Sequence, residues 1–144
     1  MTSKIQLLVV SVLAAALMGC VGLPSYTAGQ GTALSPVRLS PNMTGNTLGL
    51  VTAEGSYSLP SKDGFVYVPD GARVRIWRRY DQMGVTTAHF STSSYCAPNI
   101  SFIPQVGVAY YLDFELRGDR CSLLIYRKDP TSRVGIALEP TIER

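Results

Sequence analysis

The sequence feature that most constrains the fold is a strict alternation of apolar and polar side chains between residues 108 and 117. Because successive side chains of a β-strand point to opposite faces, this period of two predicts a strand with one face in the core. The apolar face would hold Val108, Tyr110, Leu112, Phe114 and Leu116, and the other face Ala109, Tyr111, Asp113, Glu115 and Arg117. The turn residues Gly118 and Asp119 then lead into the run Cys121–Arg127, which we predict to be its antiparallel hairpin partner.

Several shorter runs are also rich in β-branched and aromatic residues, and turn sequences separate most of them. After the first twenty residues, no run of ten or more carries the apolar stripe of an amphipathic helix. The sequence therefore predicts an all-β fold, either an antiparallel β-sandwich of the transthyretin or immunoglobulin type or a small barrel. The runs are Phe65–Val68, Arg73–Trp77, Thr86–Phe90 and Ile100–Ile103, in addition to the two of the hairpin.

The amino-terminal segment has the organisation of an export signal. Lys4 gives it a positive start, and residues 5–18 form an uncharged apolar stretch. As a helix this stretch would span about 21 Å, well short of the roughly 30 Å hydrocarbon core of a bilayer. It is therefore predicted to be a signal helix and not a permanent membrane span.

The signal ends in Leu17-Met18-Gly19-Cys20, which resembles the lipobox of bacterial lipoproteins. The resemblance implies that residues 1–19 are removed and that Cys20 receives fatty acyl chains. Val21 stands where enterobacterial lipoproteins of the inner membrane carry Asp, which favours the outer membrane. The alternatives are an ordinary signal peptide with an incidental cysteine and an uncleaved hydrophobic anchor.

The segment that follows is poor in charge and rich in Gly, Pro, Ser, Thr and Asn. It shows no sustained helical or strand period, so residues 20–48 are predicted to be the lipidated cysteine and a flexible tether, with the β domain at residues 49–144. As an alternative, Val37–Leu39 would form an edge strand, because Pro36 and Pro41 on either side confine it to an edge.

The sequence contains three cysteines, an odd number for an exported chain. Acylation of Cys20 leaves Cys96 and Cys121, and an oxidising compartment favours a disulfide between them. The alternative is a reactive thiol or a metal ligand. That alternative has little support, because there is no Cys-x-x-Cys spacing and His89 is the sole histidine.

The same half of the chain resembles small proteobacterial lipoproteins. A cysteine, Cys96, precedes the segment Phe102-Ile-Pro104, Gly107 and Tyr110, and Cys121 opens the next strand. The resemblance implies a disulfide-stapled β domain at the outer membrane and points to no particular reaction.

Arginines cluster around the single tryptophan, Trp77. On a strand, Arg73, Arg75, Trp77 and Arg79 would share one face, where guanidinium groups beside an indole could bind phosphates or carboxylates. The alternative is a solvated face on which the arginines pair with Asp113 and Glu115 and stack on Trp77.

Charge and motifs exclude several classes of function. Thirteen Lys and Arg against ten Asp and Glu give +3, or +2 once Lys4 is removed, which is too little for a nucleic-acid-binding surface. His89 has no partner histidine, so a histidine-based catalytic or metal site is not indicated. The serines near residue 91 lack the Gly-x-Ser-x-Gly nucleophile elbow of a serine hydrolase. Asp113 and Glu115 are two residues apart on one predicted strand, where two solvated carboxylates are expected in place of a catalytic pair. We therefore predict no catalytic residues, no cofactor and no metal.

The predicted function is accordingly that of a lipid-anchored cell-envelope protein with a binding or assembly role and an envelope protein as partner. One alternative is a module that binds carbohydrate or anionic lipid through its Arg/Trp face. The other is a cell-wall hydrolase, for which paired carboxylates would be needed.

Overall fold

The computed structural model describes residues 22–43, 47–82, 94–118 and 120–143, and nearly all of its regular structure is β. In the part of the chain described, no helix is long and apolar enough to cross a bilayer. The strands are β1 (Leu34–Leu39), β2 (Leu48–Val51), β3 (Ser56–Leu59), β4 (Phe65–Pro69), β5 (Val74–Arg78), β6 (Tyr80–Gln82), β7 (Ser94–Cys96), β8 (Asn99–Phe102), β9 (Tyr110–Arg117), β10 (Arg120–Lys128) and β11 (Ile136–Leu138), and Pro41–Met43 forms a 3-10 turn.

Two larger sheets make up the domain. The five-stranded sheet has the order β11-β10-β9-β1-β4 and the four-stranded sheet the order β3-β2-β5-β8, while β6 and β7 form a separate pair. One hydrophobic cluster contains buried side chains of both sheets, among them Val37 and Leu112 from the first and Leu50 and Ile76 from the second. The predicted all-β, sandwich-like architecture is confirmed.

The predicted hairpin forms the centre of the five-stranded sheet. β9 pairs antiparallel with β10 along its whole length, with Tyr111 opposite Tyr126. Tyr110, Leu112 and Phe114 are buried as the alternation predicts, whereas Leu116, near the end of the strand, is 38% exposed. Gly118 in the connecting turn has φ 61°, in the left-handed region that glycine adopts without strain.

The prediction that residues 20–48 form a flexible tether is wrong for residues 24–26, which hydrogen-bond to Ser58 of β3, and for residues 34–43, which form β1 and the 3-10 turn. β1 lies inside the five-stranded sheet, between β4 and β9, and buries Val37 and Leu39. Pro36 lies opposite Tyr67 in the antiparallel register with β4, and the parallel pairing with β9 begins one residue later, at Val37. The alternative of an edge strand at Val37–Leu39 is therefore wrong about the position of the strand, because β1 has a neighbour on both sides. The β domain therefore includes residues that were assigned to the tether.

The predicted disulfide between Cys96 and Cys121 is present, with the two Cα atoms 6.3 Å apart. Cys96 belongs to β7 and Cys121 to β10, so the bond ties the β6–β7 pair to the five-stranded sheet. The predicted strand Thr86–Phe90 and His89 lie outside the described residues.

Candidate functional site

The predicted Arg/Trp face lies on the outer side of the four-stranded sheet. Along β5 the buried side chains are Val74 and Ile76, whereas Arg75 is exposed and Trp77 is half-buried. Arg73 precedes the strand, and Arg79 follows its end as an exposed residue. The alternation that the sequence predicts is therefore present, but only part of the cluster lies on the regular strand.

Arg73 is engaged by the carboxyl-terminal segment. Its Nη2 lies 2.9 Å from Oε1 of Glu143, and its Nη1 donates a hydrogen bond to the carbonyl oxygen of Thr141 at 3.0 Å. The expected cross-strand pairing with Asp113 and Glu115 is wrong, since those residues belong to β9 in the other sheet and Glu115 binds Arg117 at 2.7 Å. Arg73 thus holds the end of the chain against the sheet.

Trp77 has a packing role that the sequence did not indicate. Its cross-strand neighbour is Gly49 of β2, and the indole lies directly over that residue. A β-carbon built on Gly49 would be 1.9 Å from Cε2 of the indole, so no larger residue fits without displacing the ring. Part of the indole surface packs on the backbone of Gly49, so less of the ring is available to stack on a ligand.

Arg78 lies on the core side of β5 and is only 2% exposed. Its guanidinium carbon is 4.2 Å from the centre of the Phe114 ring and 5.2 Å from that of Tyr80. Burial lowers the pKa of Arg78 from its ordinary value, and within the described structure its Nε and Nη1 have no hydrogen-bond partner. Stacking on two aromatic rings compensates part of the cost of burying this cation.

The structure reveals a second surface that the sequence analysis missed, on the outer face of the five-stranded sheet. Five residues in register, one on each strand, form a continuous line across this sheet, which we call the aromatic row. In spatial order the aromatic row consists of Leu138, Tyr126, Tyr111, Arg38 and Phe65.

A shallow depression of about 580 Å³ lies beside the aromatic row. The rings of Tyr111 and Tyr126 are 6.4 Å apart between centroids, with an interplanar angle of 43°. The depression is lined by Pro36, Arg38, Phe65, Tyr111, Lys128 and Ile136, among others. Arg38 and Lys128 are exposed, so two cations flank an otherwise apolar and aromatic surface.

A sequence signal for this surface exists but is weak. Tyr111 occupies a position that the alternation assigns to the polar face, and Tyr126 belongs to the predicted hairpin partner, but a tyrosine on the open face of a strand is common in β domains. Arg38 could not be assigned to this surface, because the composition of residues 20–48 predicts a tether there and not a strand. The aromatic row becomes visible only once β1 and β9 are seen to be neighbours.

The carboxylates considered for chemistry, Asp113 and Glu115, are each engaged by a neighbouring group in the described part of the chain. Asp113 Oδ1 accepts a hydrogen bond from the backbone N–H of Phe114 at 2.9 Å. Glu115 is held by Arg117 through Nε at 2.8 Å. In the residues that the structure covers, there is no group of three or more His, Cys, Asp or Glu side chains able to hold a metal ion. Cys20 and the lipobox-like segment before it lie outside the described residues.

Comparison with family models, with curated proteins and with solved structures finds no match to this chain.

Proposed function

We propose that this chain is a lipid-anchored protein of the bacterial cell envelope that binds an anionic saccharide chain and performs no chemistry. Its binding surface is the outer face of the five-stranded sheet, centred on the aromatic row. The observation that carries the proposal is the alignment of Tyr126, Tyr111, Arg38 and Phe65 across four neighbouring strands.

The anchor is supported by the sequence of the leader. Residues 5–18 are too short an apolar stretch to span a bilayer, and they end at the lipobox-like Leu17-Met18-Gly19-Cys20. Two or three acyl chains on one cysteine would hold the protein on a membrane, because each buried methylene contributes about 0.8 kcal/mol. The Cys96–Cys121 disulfide is compatible with an extracytoplasmic location, and Val21 favours the outer membrane.

The chemistry of the aromatic row supports a saccharide as ligand. Tyrosine and phenylalanine rings on a rigid sheet offer flat apolar surfaces against which the C–H faces of sugar rings can pack. The hydroxyl groups of Tyr111 and Tyr126 can form hydrogen bonds with sugar hydroxyls. Arg38 and Lys128 add positive charge at the depression, whose lining includes no acidic residue, which favours a glycan that carries carboxylates or phosphates. Asp113 and Glu115 lie further along β9 on the same face, where Glu115 is paired with Arg117.

The Arg/Trp face is a weaker candidate for the same task. Arg73 is already paired with Glu143, and Trp77 packs on Gly49. A depression of about 390 Å³ does lie beside Arg73 and Arg75, but it lacks an aromatic ring in its lining. The face around Trp77 therefore provides a matched control surface for a binding experiment.

The proposal is tested by equilibrium binding of the mature chain, with Cys20→Ser to remove the anchor, to purified lipopolysaccharide and to purified peptidoglycan sacculi. Replacing both Tyr111 and Tyr126 with Ala should weaken binding by about 5- to 150-fold, since each ring contributes roughly 0.5–1.5 kcal/mol. Replacing Arg38 and Lys128 with Ser should weaken binding and reduce its dependence on salt.

The controls are Trp77→Val and Arg75→Ser, which alter the opposite sheet face and should leave affinity unchanged. Equal losses in the two sets of variants would contradict the assignment of the binding face. Absence of binding to either glycan, together with capture of an envelope protein that depends on Tyr111 and Tyr126, would replace the saccharide by a protein partner.

A further inference from the structure

The chain becomes part of the folded domain very close to the proposed acylation site. The carbonyl oxygen of Pro24 accepts a hydrogen bond from the amide of Ser58 at 2.8 Å, and the amide of Tyr26 donates one to the carbonyl of Ser58 at 2.8 Å. The ring of Tyr26 meets that of Tyr57 edge to face, 5.4 Å between centroids, and packs against the core. Residues 24–26 are thus fixed along the outer edge of β3.

This attachment limits how far the domain can lie from the membrane. Cys20 precedes Pro24 by four residues. Even a fully extended chain covers no more than about 3.6 Å per residue, so the Cα atom of Pro24 stays within about 14 Å of that of Cys20. With acyl chains of Cys20 in the bilayer, the edge of β3 is held against the membrane surface, in contrast to a domain on a long tether.

The surface around this attachment point is apolar. A small depression of about 140 Å³ is lined by residues of β1, β3 and β4 and of the segment around Tyr26. Five of its lining residues, which we call the β3/β4 patch, are Tyr26, Leu34, Leu59, Pro60 and Tyr67. Three of them are exposed: Pro60, Leu34 at 37% and Tyr67 at 47%. Leu23, next to Pro24, is 45% exposed.

We propose that the β3/β4 patch contacts the headgroup region of the same membrane that the acyl chains of Cys20 enter. This inference rests on the proposed function, because it requires acylation at Cys20. Tyrosine is favoured at the membrane–water boundary, where its ring is buried among apolar groups and its hydroxyl stays hydrated. Leu34 and Tyr67 would there lose the exposure to water that they have in the isolated domain.

The β3/β4 patch and the aromatic row share the outer face of the five-stranded sheet. Leu34 and Tyr67 lie on the same side of β1 and β4 as Arg38 and Phe65. With strands about 4.8 Å apart, the aromatic row runs roughly 19 Å across the sheet, from Phe65 beside the patch to Leu138 at the other edge. Tyr126 and Leu138 are therefore the members of the row farthest from the patch.

Chemical nitration of tyrosine tests the contact without altering the patch. The acylated full chain in phosphatidylcholine vesicles is compared with the soluble Cys20→Ser mature chain, and modification is measured residue by residue after proteolysis. Tyr67 should be protected at least fivefold on vesicles. Tyr126, which lies three strands from β4, should react equally in both forms. Equal reactivity of Tyr67 in the two forms would overturn the inference.

Tryptophan fluorescence gives an independent measurement. In a Trp77→Phe background, Tyr67→Trp places the single indole in the patch, and Tyr126→Trp serves as the matched control. Vesicles of lipids brominated near the headgroup end of the acyl chains should lower the tryptophan fluorescence of Tyr67→Trp at least twofold. They should change that of Tyr126→Trp little. Similar quenching of both variants would contradict the contact.

The mass of the amino-terminal peptide separates the two possible failures. A peptide without acyl chains at Cys20 would overturn the proposed anchoring itself. An acylated peptide together with unprotected Tyr67 would overturn the membrane contact alone.

Discussion

Replacement of Gly49 by Ala tests whether Trp77 packs on the backbone of its own sheet. The added β-carbon would lie 1.9 Å from Cε2, 2.2 Å from Nε1 and 2.3 Å from Cζ2 of the indole. Forcing extra volume into a packed position costs about 1–3 kcal/mol. In an open position the same change would stabilise a strand by roughly 0.5–1 kcal/mol, because glycine loses more backbone entropy than alanine.

The two effects predict a strong coupling between Gly49→Ala and the side chain at residue 77. In the wild-type background Gly49→Ala should lower the free energy of unfolding by about 1–3 kcal/mol. In a Trp77→Val background the same change should be neutral or stabilising, up to about 1 kcal/mol. The expected coupling energy is therefore about 1–4 kcal/mol, above the scatter of additive pairs.

The assay is urea unfolding of the mature chain carrying Cys20→Ser, monitored by circular dichroism. It is carried out on the parent chain, Gly49→Ala, Trp77→Val and the double variant. Trp77 is the single tryptophan of the sequence, so its fluorescence separately reports displacement of the indole in Gly49→Ala as a red shift. Equal destabilisation by Gly49→Ala in both backgrounds would refute the reasoning, because the cost would then not come from the indole.

Three further outcomes are expected. Replacing Cys96 and Cys121 with Ser opens a loop with a sequence separation of 25, so the free energy of unfolding in urea should fall by about 3 kcal/mol. An unchanged unfolding midpoint would contradict a stabilising disulfide. Ser35 is buried and its hydroxyl contacts the carboxylate of Asp70. Ser35→Ala should therefore lower the free energy of unfolding by about 1–2 kcal/mol. An unchanged free energy of unfolding would show that water replaces the contact. Burial raises the pKa of Tyr110 above its ordinary value of 10.0. The folded state therefore keeps the phenol protonated where the unfolded state ionises, and stability should fall as the pH rises above about 10. Tyr110→Phe should make the loss of stability above about pH 10 shallower. An identical pH profile of the two chains would show that this loss does not come from Tyr110.

The β9–β10 hairpin could be predicted because its signals agree with one another. Alternation of side chains, a Gly-Asp turn and a second β-rich run all indicate the same structure, and the observed register pairs Leu112 with Ile125 in the core. β1 could not be predicted in the same way. Pro36 and a composition rich in small residues favoured a tether, and only tertiary pairing with β4 and β9 makes this segment a strand.

The candidate site shows the same limit more sharply. Arg73, Arg75 and Trp77 are close in sequence, so their shared face could be anticipated, but the engagement of Arg73 by Glu143 depends on where the chain ends in space. The aromatic row joins residues as distant in sequence as Arg38 and Tyr126. A surface assembled from separate strands becomes apparent only once the order of those strands is known.

Mass spectrometry of the membrane-extracted protein tests the central claim most directly. The account predicts an amino-terminal peptide that begins at Cys20 and carries two or three fatty acyl chains, with Cys96 and Cys121 recovered as one disulfide-linked pair of peptides. An unprocessed leader, or a Cys20 recovered as a free thiol, would contradict it.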